Sequence, residues 1–246
     1  MGEEEKSFGA DFVQSLPGRF ALESGRGLMR GLMSGWPRRA RSALVLGALA
    51  WPVAENLWEA GFDVTVQDGS PRCLEAARAA LSRRVEYALS SPEHLPFDDS
   101  SFDYAVAGPF PALTERADAV LREMDRLACS GILVIFFNSW STFGLECRIR
   151  RETPLYAQAL ACLQSPRAIG AAARSAFPGK RRVFASILLG PLCTWREGFF
   201  PDGLNHVKFP LPLGALAALR VDFGPLYAAT PLLLGGEPAV PAQSRG

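Results

Sequence analysis

Apolar residues fall at helical spacing near the start of the chain and then switch to short unbroken runs. Between Phe20 and Met33 the positions Leu28, Met29, Leu32 and Met33 share one helical face. Gly25, Gly27 and Gly31 interrupt that helix, each at a cost of about 1 kcal/mol relative to alanine, so it must lean on tertiary packing. The run Ala43-Leu44-Val45-Leu46 stops at Gly47 and predicts a buried strand of the parallel kind. Pro52 then marks the first turn of a helix with Val53, Leu57 and Trp58 on its apolar face, and Gly61 lies just past its end. A second strand runs from Phe62 to Asp68, and a helix follows from Pro71 behind a candidate Ser70 cap. Further strands are predicted over Val85 to Leu89, Phe102 to Val106 and Gly131 to Phe137. The last of these is the most apolar and belongs at the centre of a sheet. Between the last two, Leu113, Ala117, Val120, Leu121, Met124 and Leu127 predict one long amphipathic helix. Strand and helix thus alternate over 43–137, the signature of βαβ units and a doubly wound parallel sheet.

The second half is less regular. Helical segments are expected over about 143–163, broken near Pro154, and over 166–176, with strands from Arg182 to Leu189 and from Gly214 to Val221. Between those strands lies a long proline-bearing connection, of the kind that folds over a site. The expected division is a loose arm over 1–17, one α/β domain over 18–234 and a disordered Gly/Pro-rich tail over 235–246.

Charge narrows the function classes. Across 246 residues, 26 Lys+Arg balance 25 Asp+Glu, which argues against a dedicated nucleic-acid or anionic-membrane binder. No apolar run approaches the ~20 residues that span a bilayer. The acidic start, Met1 to Lys6, has no apolar run behind it, so no secretory signal is expected. Cys73, Cys129, Cys147, Cys162 and Cys193 are scattered without a C-x-x-C pair, so neither a zinc site nor a disulfide framework is expected. A reducing, cytoplasmic setting follows from that usage.

Ligands of open parallel sheets sit at the carboxyl ends of the strands. Gly47 ends the first strand, and Asp68 ends the second about 20 positions later, the spacing at which a carboxylate holds a nucleoside ribose. The alternative for Asp68 is an ordinary surface carboxylate after a strand. Leu49, Trp51 and Pro52 stand where a G-x-G-x-x-G fingerprint needs glycines, which argues against a nicotinamide cofactor.

Three stretches resemble class I S-adenosylmethionine (SAM) dependent methyltransferases of the type 11 group. Gly61 to Pro71, followed by Leu74-Glu75-Ala76-Ala77-Arg78, is similar to the family's second motif. Glu93-His94-Leu95-Pro96-Phe97 through Ser101-Phe102-Asp103 is similar to its LPF loop and fourth strand. Leu121-Arg122-Glu123-Met124 through Gly131-Ile132-Leu133-Val134 is similar to its LxExxRvL segment and following strand. The resemblance implies a Rossmann-like, doubly wound, seven-stranded sheet with the last strand antiparallel. It implies SAM as cofactor, held by Gly47, Ala48, Asp68, Gly69, Ser91, Glu93, His94 and Gly108, and a small-molecule acceptor.

The chain departs from the family in its first motif, where Val45 replaces the acidic residue and Leu49 and Trp51 replace glycines. Ser91 replaces the aspartate expected at the adenine, and Pro92 lacks the N–H normally offered there. In methyl transfer from a sulfonium the cofactor carries the reactivity, so no catalytic triad is expected. His206, in the proline-bearing connection, and Asn138, after the fifth strand, are weak catalytic candidates; the alternatives are a solvated loop residue and a capping turn. His94 reads as structural or cofactor-flanking. No metal is expected, and no N-P-P-Y type motif follows the fourth strand, where the chain reads Gly108-Pro109-Phe110-Pro111. Two function classes follow: a SAM-dependent methyltransferase of a small molecule, or a catalytically degenerate relative that keeps the fold as a binding or partner subunit.

Overall fold

The structure is a computed structural model and describes residues 12, 15–38, 41–47, 50–81, 85–196, 198 and 205–224. Most of the expected arm, 1–17, and all of the expected tail, 235–246, lie outside them. Helix α1 (Leu16–Leu32) begins at a Ser15 cap, whose hydroxyl accepts the Gly18 N–H. The predicted face Leu28, Met29 and Leu32 is buried, together with Met33 in the 3₁₀ turn that follows.

Alternation then proceeds as the pattern predicts. Strand β1 (Ser42–Leu46) leads to α2 (Ala50–Glu59), β2 (Asp63–Asp68), α3 (Pro71–Leu81) and β3 (Glu86–Leu89). Next come β4 (Phe102–Ala107), α4 (Pro111–Glu115), α5 (Ala117–Leu127) and β5 (Ala128–Asn138). The single helix expected over 113–127 is therefore two. They part at Arg116, which leaves helical geometry (φ −137°, ψ 45°) and bonds Glu93 through its guanidinium at 2.7 Å. Helices α6 (Thr142–Ile149) and α7 (Pro154–Ala161), strand β6 (Leu163–Gln164), helix α8 (Pro166–Ala176) and strands β7 (Arg181–Ile187) and β8 (Leu216–Asp222) complete the described elements.

The strands form one sheet in the order β3-β2-β1-β4-β5-β8-β7. Strands β1 to β5 pair in parallel, and β8 runs antiparallel between β5 and β7. This is the expected Rossmann-like α/β sheet with its last strand antiparallel, plus the two-residue β6 paired to the end of β5.

Side-chain alternation divides the core into two layers. Val45, Val66, Val106, Leu133, Ile135 and Phe137 point to the face covered by α1, α2 and α3. Leu44, Leu46, Ala105, Ile132, Val134 and Phe136 point to the face covered by α5 and α8. Val45 is fully buried and paired between β2 and β4, so its side chain belongs to packing.

A polar clasp fixes α1 to the sheet at the end away from the strands' carboxyl termini. The Arg220 Nε donates to Asp222 Oδ1 at 2.7 Å, the Trp36 indole N–H donates to the same oxygen at 3.1 Å, and an Arg220 guanidinium N–H reaches the Leu32 carbonyl. Trp36 stacks on Tyr104 with ring centroids 4.1 Å apart. Among the described residues, no helix is long and apolar enough to cross a membrane.

Candidate functional site

The carboxyl ends of β1, β2 and β4 meet at one edge of the sheet, and Gly47, Asp68 and Gly108 lie there. Gly47 turns the chain out of β1 at φ +105°, a conformation that L side chains rarely adopt, and its N–H donates to the Gln67 carbonyl at 3.2 Å. A Cβ on Gly47 would lie 2.2 Å from Cδ1 of Phe110, so the aromatic ring rests directly on the glycine. Gly108 donates its N–H to the Leu46 carbonyl at 2.9 Å, which extends the β1–β4 ladder by one bond and brings Pro109 and Phe110 beside Gly47.

Asp68 is buried at the end of β2, and its Oδ1 accepts the Ser70 N–H at 2.8 Å. That bond is an Asx turn. It fixes the carboxylate at the strand end and aims the chain into α3. Gly69 between them is exposed. Gln67, one residue earlier, is fully buried. Its amide donates to the Ser90 carbonyl at 2.5 Å, while its Oε1 and the Ser90 hydroxyl have no partner. Two buried polar atoms thus remain unsatisfied where β2 and β3 end, a state costing about 1–3 kcal/mol each.

Ser91 and His94 form an isolated bridge, with the His94 N–H donating to the Ser91 carbonyl at 3.2 Å, and both side chains are exposed. Glu93 is held by Arg116. The loop beyond is gripped by Arg126 of α5. Its guanidinium donates to the Leu95 carbonyl at 3.1 Å, the Phe97 carbonyl at 2.8 Å and both oxygens of Glu123 at 2.8 and 3.1 Å. Glu123 in turn accepts the Leu95 N–H at 3.2 Å. The Arg126 hydrogen bond holds the Glu123 carboxyl below the usual carboxylate range. Two of the three stretches singled out in the sequence are therefore parts of one clamp.

Asn138 ends β5, the parallel neighbour of β4, and His206 packs on α1. Asn138 is fully buried, donates to the Pro212 and Gly214 carbonyls at 2.7 and 3.0 Å, and accepts the Trp140 N–H at 2.8 Å. Its amide staples two turns together. His206 is exposed and lies on α1, its ring 5.1 Å from that of Phe20 and its Nδ1 3.5 Å from the Ser24 hydroxyl. Ala48 and Leu49 lie outside the described residues, as does the side chain of Trp51. Among the described residues, no group of His, Cys, Asp and Glu has the arrangement of a metal site.

Phe110, Gln67 and Arg126 escape the sequence reading as site residues. Gln67 carried a signal, since it is a polar position within the buried run of β2. Nothing in the sequence placed the Phe110 ring on Gly47.

Comparison with known proteins shows what the chain resembles. Residues 44–136 match the family model described as a methyltransferase domain. Comparison with the curated proteins gave no match. Among solved structures, a SAM-dependent methyltransferase from Thermotoga maritima, described as a possible histamine N-methyltransferase, is similar at 20% identity and a TM-score of 0.60. The match covers 83% of this chain and 90% of that one. The plantazolicin methyltransferase in complex with S-adenosylhomocysteine (SAH) is similar at 11% identity and a TM-score of 0.59, covering 90% and 91% of the two chains. Magnesium protoporphyrin IX methyltransferase from Synechocystis PCC 6803, with bound SAH, is similar at 14% identity and a TM-score of 0.56, covering 86% and 87%. The chain resembles class I SAM-dependent methyltransferases and has their fold.

Proposed function

We propose that this protein is a SAM-dependent methyltransferase acting on a small-molecule acceptor. The observation that carries the reading is the buried Asp68 carboxylate, fixed by Ser70 at the end of β2 and next to the positive-φ turn at Gly47. In a sheet of this order a carboxylate at that position receives the hydroxyls of a ribose. Gly47, Asp68, Gly69 and Gly108 would line the cofactor, with Ser91, Glu93 and His94 flanking its base. Ala48 stays with this set on the resemblance alone.

When bound, SAM supplies an activated methyl group on a sulfonium sulfur, and transfer is an in-line displacement by the acceptor. The protein's part is alignment and exclusion of water. Phe110, seated on Gly47, supplies an apolar wall at the carboxyl end of β4. Asn138 has both its amide group and its oxygen engaged, so it is assigned to holding the loop after β5. A cytoplasmic setting goes with this reading.

Calorimetric titration of the full chain with SAM and SAH is the test. Binding in the micromolar range, weakened at least about tenfold by Asp68→Ala, is the expected result; tenfold corresponds to about 1.4 kcal/mol, one lost charge-assisted contact. Silence up to millimolar ligand overturns the reading and leaves the non-catalytic partner subunit in its place.

A further inference from the structure

Helix α6 has two unlike faces. Phe143 and Cys147 are buried beneath it, and a Cβ on Gly144 would lie 2.6 Å from the Ser139 carbonyl oxygen and 2.8 Å from that of Asn138, so the helix sits tightly on the end of β5. Its outer face is apolar where water favours polar side chains. Leu145 is 55% exposed and Ile149 is 72% exposed, one helical turn apart on the same side. Trp140, 62% exposed, stands one residue before the Ser141 cap. Trp140 and Leu145 hold the two positions of a hydrophobic staple around the capped first turn, so the indole continues the stripe. Single exposed apolar residues are ordinary, whereas three along one short helix form a patch. Arginine borders it. Arg148 lies one turn from Leu145, Arg150 caps the helix end and Arg151 follows; all three are exposed. The Arg150 guanidinium lies over the Tyr156 ring, 5.8 Å from its centroid. Among the described residues none of the three arginines forms an ion pair. Of the acidic residues on this stretch, Glu146 is turned inward, its Oε2 accepting the Leu192 N–H at 2.7 Å, which leaves the exposed Glu152. The balanced charge of the whole chain thus conceals a local positive excess.

We propose that this face docks on the surface of an anionic lipid bilayer, with Trp140, Leu145 and Ile149 seated at the level of the headgroups and upper acyl chains and Arg148, Arg150 and Arg151 meeting lipid phosphates. Tryptophan and aliphatic side chains on one face of a surface helix, bordered by arginine, are the composition that lies in a membrane interface. The long arginine stems let each guanidinium reach a phosphate while its apolar neighbours sit deeper. A second copy of this chain fits the face less well, because a two-fold contact through it sets the arginines of one copy against those of the other. Trp140 follows the carboxyl end of β5, on the sheet edge that carries Gly47 and Asp68, so docking holds that edge near the bilayer. The inference goes beyond the methyltransferase reading and does not depend on it.

Sedimentation of the full chain with vesicles tests it, using phosphatidylcholine alone and phosphatidylcholine with about 30% phosphatidylglycerol. The chain is expected to bind the mixed vesicles at least about tenfold more strongly than the neutral ones, and to lose most of that preference at about 1 M salt, where charges are screened within ~3 Å. Arg148→Gln combined with Arg151→Gln is expected to weaken binding to the mixed vesicles at least about tenfold, since each basic residue at an anionic surface contributes about fivefold. Leu145→Ser combined with Ile149→Ser is expected to weaken it about tenfold or more by removing the inserted side chains. Circular dichroism and the urea midpoint check that these surface changes leave the fold intact. Brominated lipids in the mixed vesicles are expected to quench tryptophan emission of the wild type, and to quench it less in Trp140→Phe, which places that indole at the bilayer. No binding to the mixed vesicles, or binding that both double variants retain, overturns the proposal. A wild-type dimer in light scattering that either double variant converts to a monomer also overturns it and assigns the face to a second copy.

Discussion

Replacing Arg126 by methionine removes the clamp on the LPF loop while keeping an apolar stem of similar reach. The loss is worked from five contacts. The bonds to the Leu95 and Phe97 carbonyls, at 3.1 and 2.8 Å, are partly buried, and each is worth about 1 kcal/mol net. The paired bonds to Glu123 join side chains that are 29% and 17% exposed, so about 1 kcal/mol remains after solvent screening. Asp99 is 77% exposed and adds nothing measurable. The sum is about 3 kcal/mol, or a fall in Tm of roughly 6–12 °C for a domain of this size. Urea denaturation of both proteins measures it. Hydrogen exchange locates it, because amides over 93–101 should lose protection before those of β4 and β5 do. Arg126→Lys is expected to recover only part of the loss, since an ammonium does not reproduce the planar fork that meets two carbonyls and a carboxylate at once. A cost below about 0.5 kcal/mol for Arg126→Met, with unchanged exchange over 93–101, would show that the loop is held by its own packing and would refute the clamp.

Gly47→Ala should destabilise by at least about 2 kcal/mol, from left-handed backbone strain plus displacement of the Phe110 ring. Adding Phe110→Ala should return the steric part but not the strain, and full additivity in denaturant titrations would count against the contact. Burial pushes the Cys147 and Cys162 thiols up to about 12 from 9.0. Because these thiols are raised in the fold, their contribution to stability is complete below about pH 9 and is lost as pH rises toward 12. The urea midpoint should therefore fall between pH 8 and pH 10.5. At pH 8 a thiol reagent should label the exposed Cys129 and Cys193 promptly, and Cys147 and Cys162 only on unfolding. The Glu123 carboxyl is held low by Arg126, so its contribution is present above the ordinary value of 4.5 and is lost as pH falls below it. Wild type and Glu123→Gln should differ in urea midpoint at pH 7 and converge in acid, and a constant gap would rule out the charge as its source.

What the sequence determined by itself was the sheet and its edge of interest. Runs such as Ala43 to Leu46 and Ile132 to Phe137 are apolar on both sides, and only a strand covered on both faces buries them fully. Gly47 and Asp68 were legible because a turn with positive φ and a strand-ending carboxylate are local requirements, written at fixed spacing. The break at Arg116 was not legible, since the apolar spacing of Leu113, Ala117 and Val120 runs across it unchanged. The bonds from Asn138 to the carbonyls of Pro212 and Gly214 were not legible either, because those carbonyls come from a distant part of the chain. The Arg126 clamp and the Phe110 ring on Gly47 share that origin. Each depends on which side chains three-dimensional packing brings together. Periodicity fixes the face on which a residue lies; only the folded chain fixes what that face meets.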